Sequence, residues 1–256
     1  MNWMIFFDCL FAMLAFTFIG WLLSLARRNV THVDSMWSLF FMISAYTTAL
    51  LSSDLTNRKM IVLILISLWG LRLCIYLTWR NWGPHEDGRY AEIRQNNAPN
   101  FWLKSIYIVF GLQAILAWII SISLYAAIDS SVAFNFIDYF AIALFAFGFT
   151  WEVLADWQLA NFKESPSNKG KVLNTGLWRY SRHPNYFGEC CLWWAFYLFA
   201  LATGAWWAIV SPILMTLLLL KVSGVSLLEQ TIVNRRPAYV EYIKSTNAFF
   251  PGFPKG

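Results

Sequence analysis

Seven stretches of apolar sequence, each close to the length of a membrane span, constrain this chain more than anything else in it: about 3 to 25, 36 to 52, 60 to 79, 105 to 128, 136 to 157, 185 to 203 and 205 to 227. A hydrocarbon core of about 30 Å is crossed by about 20 helical residues, and a backbone in lipid must satisfy its own hydrogen bonds. The sequence therefore predicts an all-α, polytopic integral membrane protein of about seven transmembrane helices. Of its 256 residues 59% are hydrophobic and 13% charged, outside the usual range of soluble domains. The last two stretches are separated only by Thr203-Gly204, which predicts a tight helical hairpin. The first stretch has no basic leader and no small-residue cleavage site, so it reads as a retained span. With no internal repeat or soluble insertion, residues 1–256 read as a single membrane-embedded domain.

A formal charge of +5 raises nucleic acid as a partner, but the basic residues are scattered between apolar runs and build no continuous face. Their distribution reports topology instead. Every Lys and Arg except Arg58 and Lys59 falls near the end of, or after, the first, third or fifth stretch, or toward the C-terminal end. Because Lys and Arg accumulate on cytoplasmic loops, the N-terminus is expected outside and the C-terminus in the cytoplasm. Cys9, Cys74, Cys190 and Cys191 lie within apolar stretches with no metal-ligand spacing, and read as small buried hydrophobes.

Polar side chains at membrane depth are costly and face a cavity or a partner. Asp34, Arg72, Gln113, Glu152, Asp156, Glu189 and Lys221 all fall in the half of their span nearest the cytoplasm. Lys221 is long enough to snorkel to the interface. Glu152 and Asp156, four residues apart, share a helix face, where their charges repel unless a cation or a donor such as an amide or a ribose hydroxyl lies between them. Either a structural Arg or a polar ligand meets that need.

The densest polar segment runs from Gly176 to Glu189, GLWRYSRHPNYFGE. Ser181 is a good N-cap and Pro184 suits a first helical turn, so a helix is expected to begin near Pro184. Its N-terminus, flanked by Arg179, Arg182 and His183, has the dipole and the charge of an anion site. Asn185 and Glu189 continue a polar face one turn into the apolar stretch. The bland alternative is an ordinary basic membrane boundary.

Arg182-His183-Pro184-Asn185-Tyr186-Phe187-Gly188-Glu189 resembles the signature of the steroid 5-alpha-reductase-like membrane reductases and sterol reductases, as does the placing of Glu152 and Asp156 ahead of it. The resemblance is clearest from Gly148 to Pro251, including Leu228-Glu229, Tyr239 to Tyr242 and Phe250-Pro251. On these residues the chain is identified as a member of the bacterial branch known as the DUF1295 family. The resemblance implies an enzyme of the bacterial inner membrane that takes NADPH from the cytoplasm and reduces a carbon-carbon double bond conjugated to a carbonyl in a lipophilic substrate. It implies that Asp156, Arg182, Asn185 and Glu189 face the dinucleotide, with Glu152, Arg179, His183, Tyr186 and Glu229 completing the candidate cofactor set. The family position matching Glu152 is commonly asparagine, a departure here.

Hydride delivery to the beta carbon of an enone develops charge on the carbonyl oxygen, which needs a hydrogen-bond donor. In the steroid reductases a Gln-Glu pair near the second span and a tyrosine in the third hold that carbonyl; the nearest counterparts here are Val33-Asp34 and the neighbourhood of Trp69 to Tyr76. Asp34, assisted by His32 or Tyr76, is therefore the candidate donor, unless Asp34 pairs with Arg72 as a structural bridge. A rival resemblance is to isoprenylcysteine-type and phospholipid methyltransferases, which carry a similar Arg-His-Pro signature with a C-terminal Glu-Glu and use S-adenosylmethionine. Here that pair reads Glu229-Gln230. Membrane lipids are the other expected partners.

Overall fold

The computed structural model describes residues 2–52, 56–222 and 236–254, with helices and turns and no strand among the described residues. They form two compact units, Met1–Asn135 with Phe199–Ala208, and Phe136–Leu198 with Ile209–Gly256.

The first unit contains α1 (Trp3–Arg27), α2 (Val33–Leu51), α3 (Asn57–Arg80), the short α4 (Gly88–Asn96), α5 (Phe101–Ile120) and α6 (Ile122–Ile128). Side-chain caps start three of them: Asn2 accepts from Met4 N, Thr56 from Lys59 N and Asp87 from Arg89 N. α2 is the hub, packed against α1, α3, α5 and α6. Its buried face includes Ser38, Ser44, Ala45 and Thr48, small side chains that let neighbouring backbones approach. Ser38 Oγ donates to Gly70 O on α3 at 2.8 Å.

Residues 105–128, expected as one span, are interrupted twice. Ile106–Gly111 winds as a π-turn, and Ser121 separates α5 from α6. Ser121 Oγ donates back to Ala117 O at 2.8 Å, a contact that bends helices. The hairpin expected at Thr203-Gly204 is present: Gly204, at φ +86°, donates to Leu201 O, and Ala205 N closes onto Ala200 O at 3.2 Å.

The second unit contains α7 (Phe136–Glu164), most of α8 (Pro184–Leu201), α9 (Val210–Leu217) with a π-turn over Leu218–Val222, and α10 (Tyr239–Ser245). The expected span at 205–227 is thus a 3-10 turn, a short helix and a π-turn as far as Val222, and its end lies outside the described residues.

Among the described residues, four helices are long and apolar enough to cross a membrane: α1, α3, α5 and α7. α2 and α8 are of similar length but carry Asp34 and Ser/Thr residues, or Asn185 and Glu189 with several Trp and Tyr, which dilute their apolar character. Trp3, Trp79, Trp82, Trp102 and Trp206 are exposed, as interfacial aromatics are, whereas Trp69 and Trp193 are fully buried in the packing.

Candidate functional site

The polar motif of the second unit is organised by one helix crossing. A Cβ built on Gly188 would sit 2.7 Å from Glu152 N and 2.8 Å from Gly148 O, and one built on Gly148 would sit 2.8 Å from Gly188 O. Only a pair of glycines lets the backbones of α7 and α8 meet this closely. One turn beyond Gly148 comes Glu152, and one turn further Asp156; Glu189 follows Gly188, and Asn185 lies nearly a turn ahead of it. The crossing therefore gathers Glu152, Asp156, Asn185 and Glu189. Asn185 Nδ2 donates to Asp156 Oδ1 at 3.1 Å, the amide that a same-face carboxylate pair calls for. Glu152, Asp156 and Glu189 are buried, at 2%, 6% and 8% exposure.

Ahead of α8 the chain is pinned to α7. Trp178 Nε1 donates to Ala155 O at 3.0 Å, and Leu177 N to Gln158 Oε1 at 2.9 Å. Gly176 holds a left-handed φ of +60° that suits glycine, and a Cβ there would displace the Gln158 amide, 2.6 Å away, from Leu177 N. Ser181 Oγ accepts from His183 N at 3.1 Å, and α8 begins at Pro184, as the sequence predicts. His183 is buried with its ring parallel to Tyr186, centroids 5.6 Å apart. Arg179 is exposed.

The C-terminal segment is strapped across this loop. Ser181 Oγ donates to Phe249 O at 2.8 Å, Arg182 N to Asn247 O at 2.9 Å and Gly252 N to Tyr180 O at 3.0 Å. The Tyr242 hydroxyl donates to the carbonyls of Trp178 and Ser181. Arg182, expected to face an anion, gives Nη1 to the carbonyls of Ile243 and Thr246. Those groups lie at the C-terminal end of α10, where carbonyls lack helical partners and a cation suits the dipole. Arg182 is thus a buried clamp on the strap, and Arg179 beside it is exposed. Glu229 lies outside the described residues.

The first unit holds a second polar cluster, around Asp34. Its Oδ2 accepts from Arg89 Nη2 at 2.7 Å and its Oδ1 from the Tyr90 hydroxyl at 2.5 Å, with Arg80 Nη2 at 3.9 Å. The Tyr90 hydroxyl in turn accepts from Gln113 Nε2 at 3.3 Å. The cations on Asp34 are thus Arg89 and Arg80 rather than Arg72, and Asp34 accepts from each of these partners instead of donating. Tyr76 is tilted against Trp79 and lies under Arg80, the more distant of the two cations near Asp34. The His32 Nε2 sits 2.9 Å from Gly20 O, with its ring against Phe110. Tyr90 was not legible as a site residue, since a tyrosine in a polar loop carries no signal of burial. Its neighbours Asp34 and Gln113 were, as polar groups inside apolar stretches. Burial, reinforced by the Asp34 carboxylate, pushes the Tyr90 phenol well above its ordinary value, so it stays protonated as a donor.

Charged contacts dock α4 onto the corner between α1 and α2. Glu86 accepts from Val30 N at 2.9 Å and from Arg94 Nε and Nη2 at 2.7 Å each, and Asp87 N donates to Thr31 Oγ1 at 2.9 Å. Burial pushes the Glu86 carboxyl up, but Arg94 outweighs it and holds Glu86 below its usual value; at Asp87, Arg89 does the same. A depressed carboxylate contributes stability above its unfolded-state pKa, about 4, and loses it as pH falls through the folded value. The thermal midpoint is therefore expected to drop with pH below about 4, and Glu86→Gln to flatten that dependence while lowering the midpoint at neutral pH. A Glu86→Gln profile with the same slope as the parent tells against this docking.

This polar, glycine-crossed helix pair belongs to a recognised sequence family. The chain is a member of the family described as Protein of unknown function (DUF1295), whose pattern matches residues 20–246. It is 28% identical over 268 aligned residues to an uncharacterized protein of Schizosaccharomyces pombe, covering 90% of this chain and 75% of that protein. No solved structure matches it.

Proposed function

We propose that this chain is a membrane-embedded, NADPH-dependent reductase of a carbon-carbon double bond conjugated to a carbonyl in a lipophilic, steroid-like or isoprenoid-like substrate. The observation that carries the reading is the set of buried carboxylates Glu152, Asp156 and Glu189 at the Gly148/Gly188 crossing, with half-buried Asn185 donating to Asp156. Buried carboxylates beside an amide are acceptors for the hydroxyls of a ribose and the NH2 of a carboxamide, and exposed Arg179 offers a cation for a phosphate. NADPH, when bound, supplies the hydride. The protein's own residues bind and orient it: Asp156, with its oxygen held by Asn185, and Glu189 as acceptors; Arg182 and the strap keep the loop from Gly176 to His183 in place.

Within the first unit the candidate donor becomes Tyr90, in place of Asp34 and Tyr76: its single O–H, which rests on Asp34, turns to a carbonyl while Gln113 still donates to its oxygen. Charge developing on the carbonyl oxygen is met by a hydroxyl held in position before reaction. The topology that goes with it is about seven spans, N-terminus outside and C-terminus and cofactor site cytoplasmic, in a bacterial inner membrane, as the sorting of Lys and Arg favours.

The carboxylate set also suits the sulfonium of S-adenosylmethionine, the cofactor of the rival methyltransferase reading. Titrating the detergent-solubilised protein with each ligand separates the two, because a ligand of the folded state raises the unfolding midpoint. NADPH is expected to raise it, and Glu189→Ala to reduce that effect. Protection by S-adenosylmethionine and not by NADPH overturns the reductase assignment.

A further inference from the structure

We propose a second ligand site, in the first unit, for the phosphate head group of an anionic phospholipid. A cleft of about 270 Å³ opens at the C-terminal end of α1, lined by Ser24, Arg28, Arg94, Phe101, Trp102 and Ser105 among others. Arg28 ends α1 in the left-handed conformation, at φ +50°, with its guanidinium exposed. Arg94 spends Nε and Nη2 on Glu86, at 2.7 Å each, and lies 4.4 Å over the Phe101 ring. Two arginines thus line the cleft, with one carboxylate paired to Arg94, and the balance suits a single negative charge. A phosphodiester carries that charge and matches the planar guanidinium fork.

The remaining wall matches the rest of such a molecule. Ser24 Oγ and Ser105 Oγ donate to Trp21 O and Trp102 O, at 2.7 and 2.9 Å, which leaves their lone pairs for the hydroxyls of a head group such as glycerol. Trp21 Nε1 donates to Trp102 O at 2.8 Å, fixing the aromatic wall. Leu22, Leu23 and Leu103 on the same two helices are 46%, 46% and 50% exposed. Both helices are apolar enough to cross a membrane, so these leucines offer acyl chains a surface that free phosphate does not use. The inference is independent of the reductase reading.

The test follows the unfolding midpoint of the full chain in detergent with added phosphatidylglycerol, phosphatidylcholine or inorganic phosphate. Phosphatidylglycerol is expected to raise the midpoint, with the other two giving no comparable effect. Arg28→Gln should unfold like the parent without lipid, since that guanidinium holds no part of the fold together, yet need about five- to tenfold more phosphatidylglycerol for half the effect. Arg28→Lys should fall between them. An Arg28→Gln response equal to the parent's, or phosphatidylcholine matching phosphatidylglycerol, overturns the site. Equal protection by inorganic phosphate overturns the lipid and assigns the cleft to a soluble anion.

Discussion

Gly188→Val is expected to lower the thermal midpoint by about 10 °C or more and to abolish protection by NADPH. The first added carbon would lie 2.7 Å from Glu152 N and 2.8 Å from both Glu152 Cβ and Gly148 O. Two of these neighbours are backbone of α7, so relief requires the helices to part rather than a side chain to turn. Overpacking a well-packed core costs about 1–3 kcal/mol, and backbone contacts place this site at the upper end or beyond. Parting α7 from α8 also carries Asp156 away from Asn185, whose hydrogen bond is 3.1 Å long. Gly188→Ala should show a smaller loss of the same kind. Gly88→Ala is the matched control: a Cβ there meets nothing within 4 Å, so its midpoint should stay within about 1–2 °C of the parent. Unchanged stability and NADPH response in Gly188→Ala would mean that the crossing is not as tight as described.

That crossing shows what kind of information a single sequence carries about this fold. The apolar stretches followed from length and composition, because lipid tolerates little else, and α1, α3 and α7 lie where the pattern put them. The start of α8 at Pro184 followed from Ser181 and Pro184, whose effects are local. The Glu152 and Asp156 face was legible for the same reason. What the sequence withheld were contacts whose second partner is backbone. The clamp that Arg182 makes on the carbonyls of Ile243 and Thr246 leaves no mark in the sequence around it. A carbonyl belongs to every residue and so marks none. Gly148 and Gly188 likewise become meaningful only as a pair, forty positions apart. Long apolar stretches hide their own interruptions as well, since Ile106–Gly111 and Ser121 are scarcely less apolar or helix-compatible than their neighbours.

Tyr90→Phe is expected to cut kcat by about 100- to 1000-fold, the effect of losing one preorganised donor at a developing oxyanion, while NADPH affinity stays within about twofold. The readout is NADPH oxidation driven by a series of lipophilic enones. Folding should suffer little by comparison. The lost hydroxyl forfeits two hydrogen bonds, one to Asp34 worth about 1.5–3 kcal/mol because the acceptor is charged and a longer one from Gln113, and Asp34 keeps Arg89 at 2.7 Å. Asp34→Asn should behave differently. It removes the charge that Arg89 and Arg80 face, lowering stability more than Tyr90→Phe does, but it leaves the Tyr90 proton free to turn to the carbonyl and so preserves part of the rate. If Asp34 were itself the donor, Asp34→Asn would be the more damaging change to kcat and Tyr90→Phe the milder. The order of the two variants therefore assigns the donor, and full activity in Tyr90→Phe removes this cluster from the chemistry.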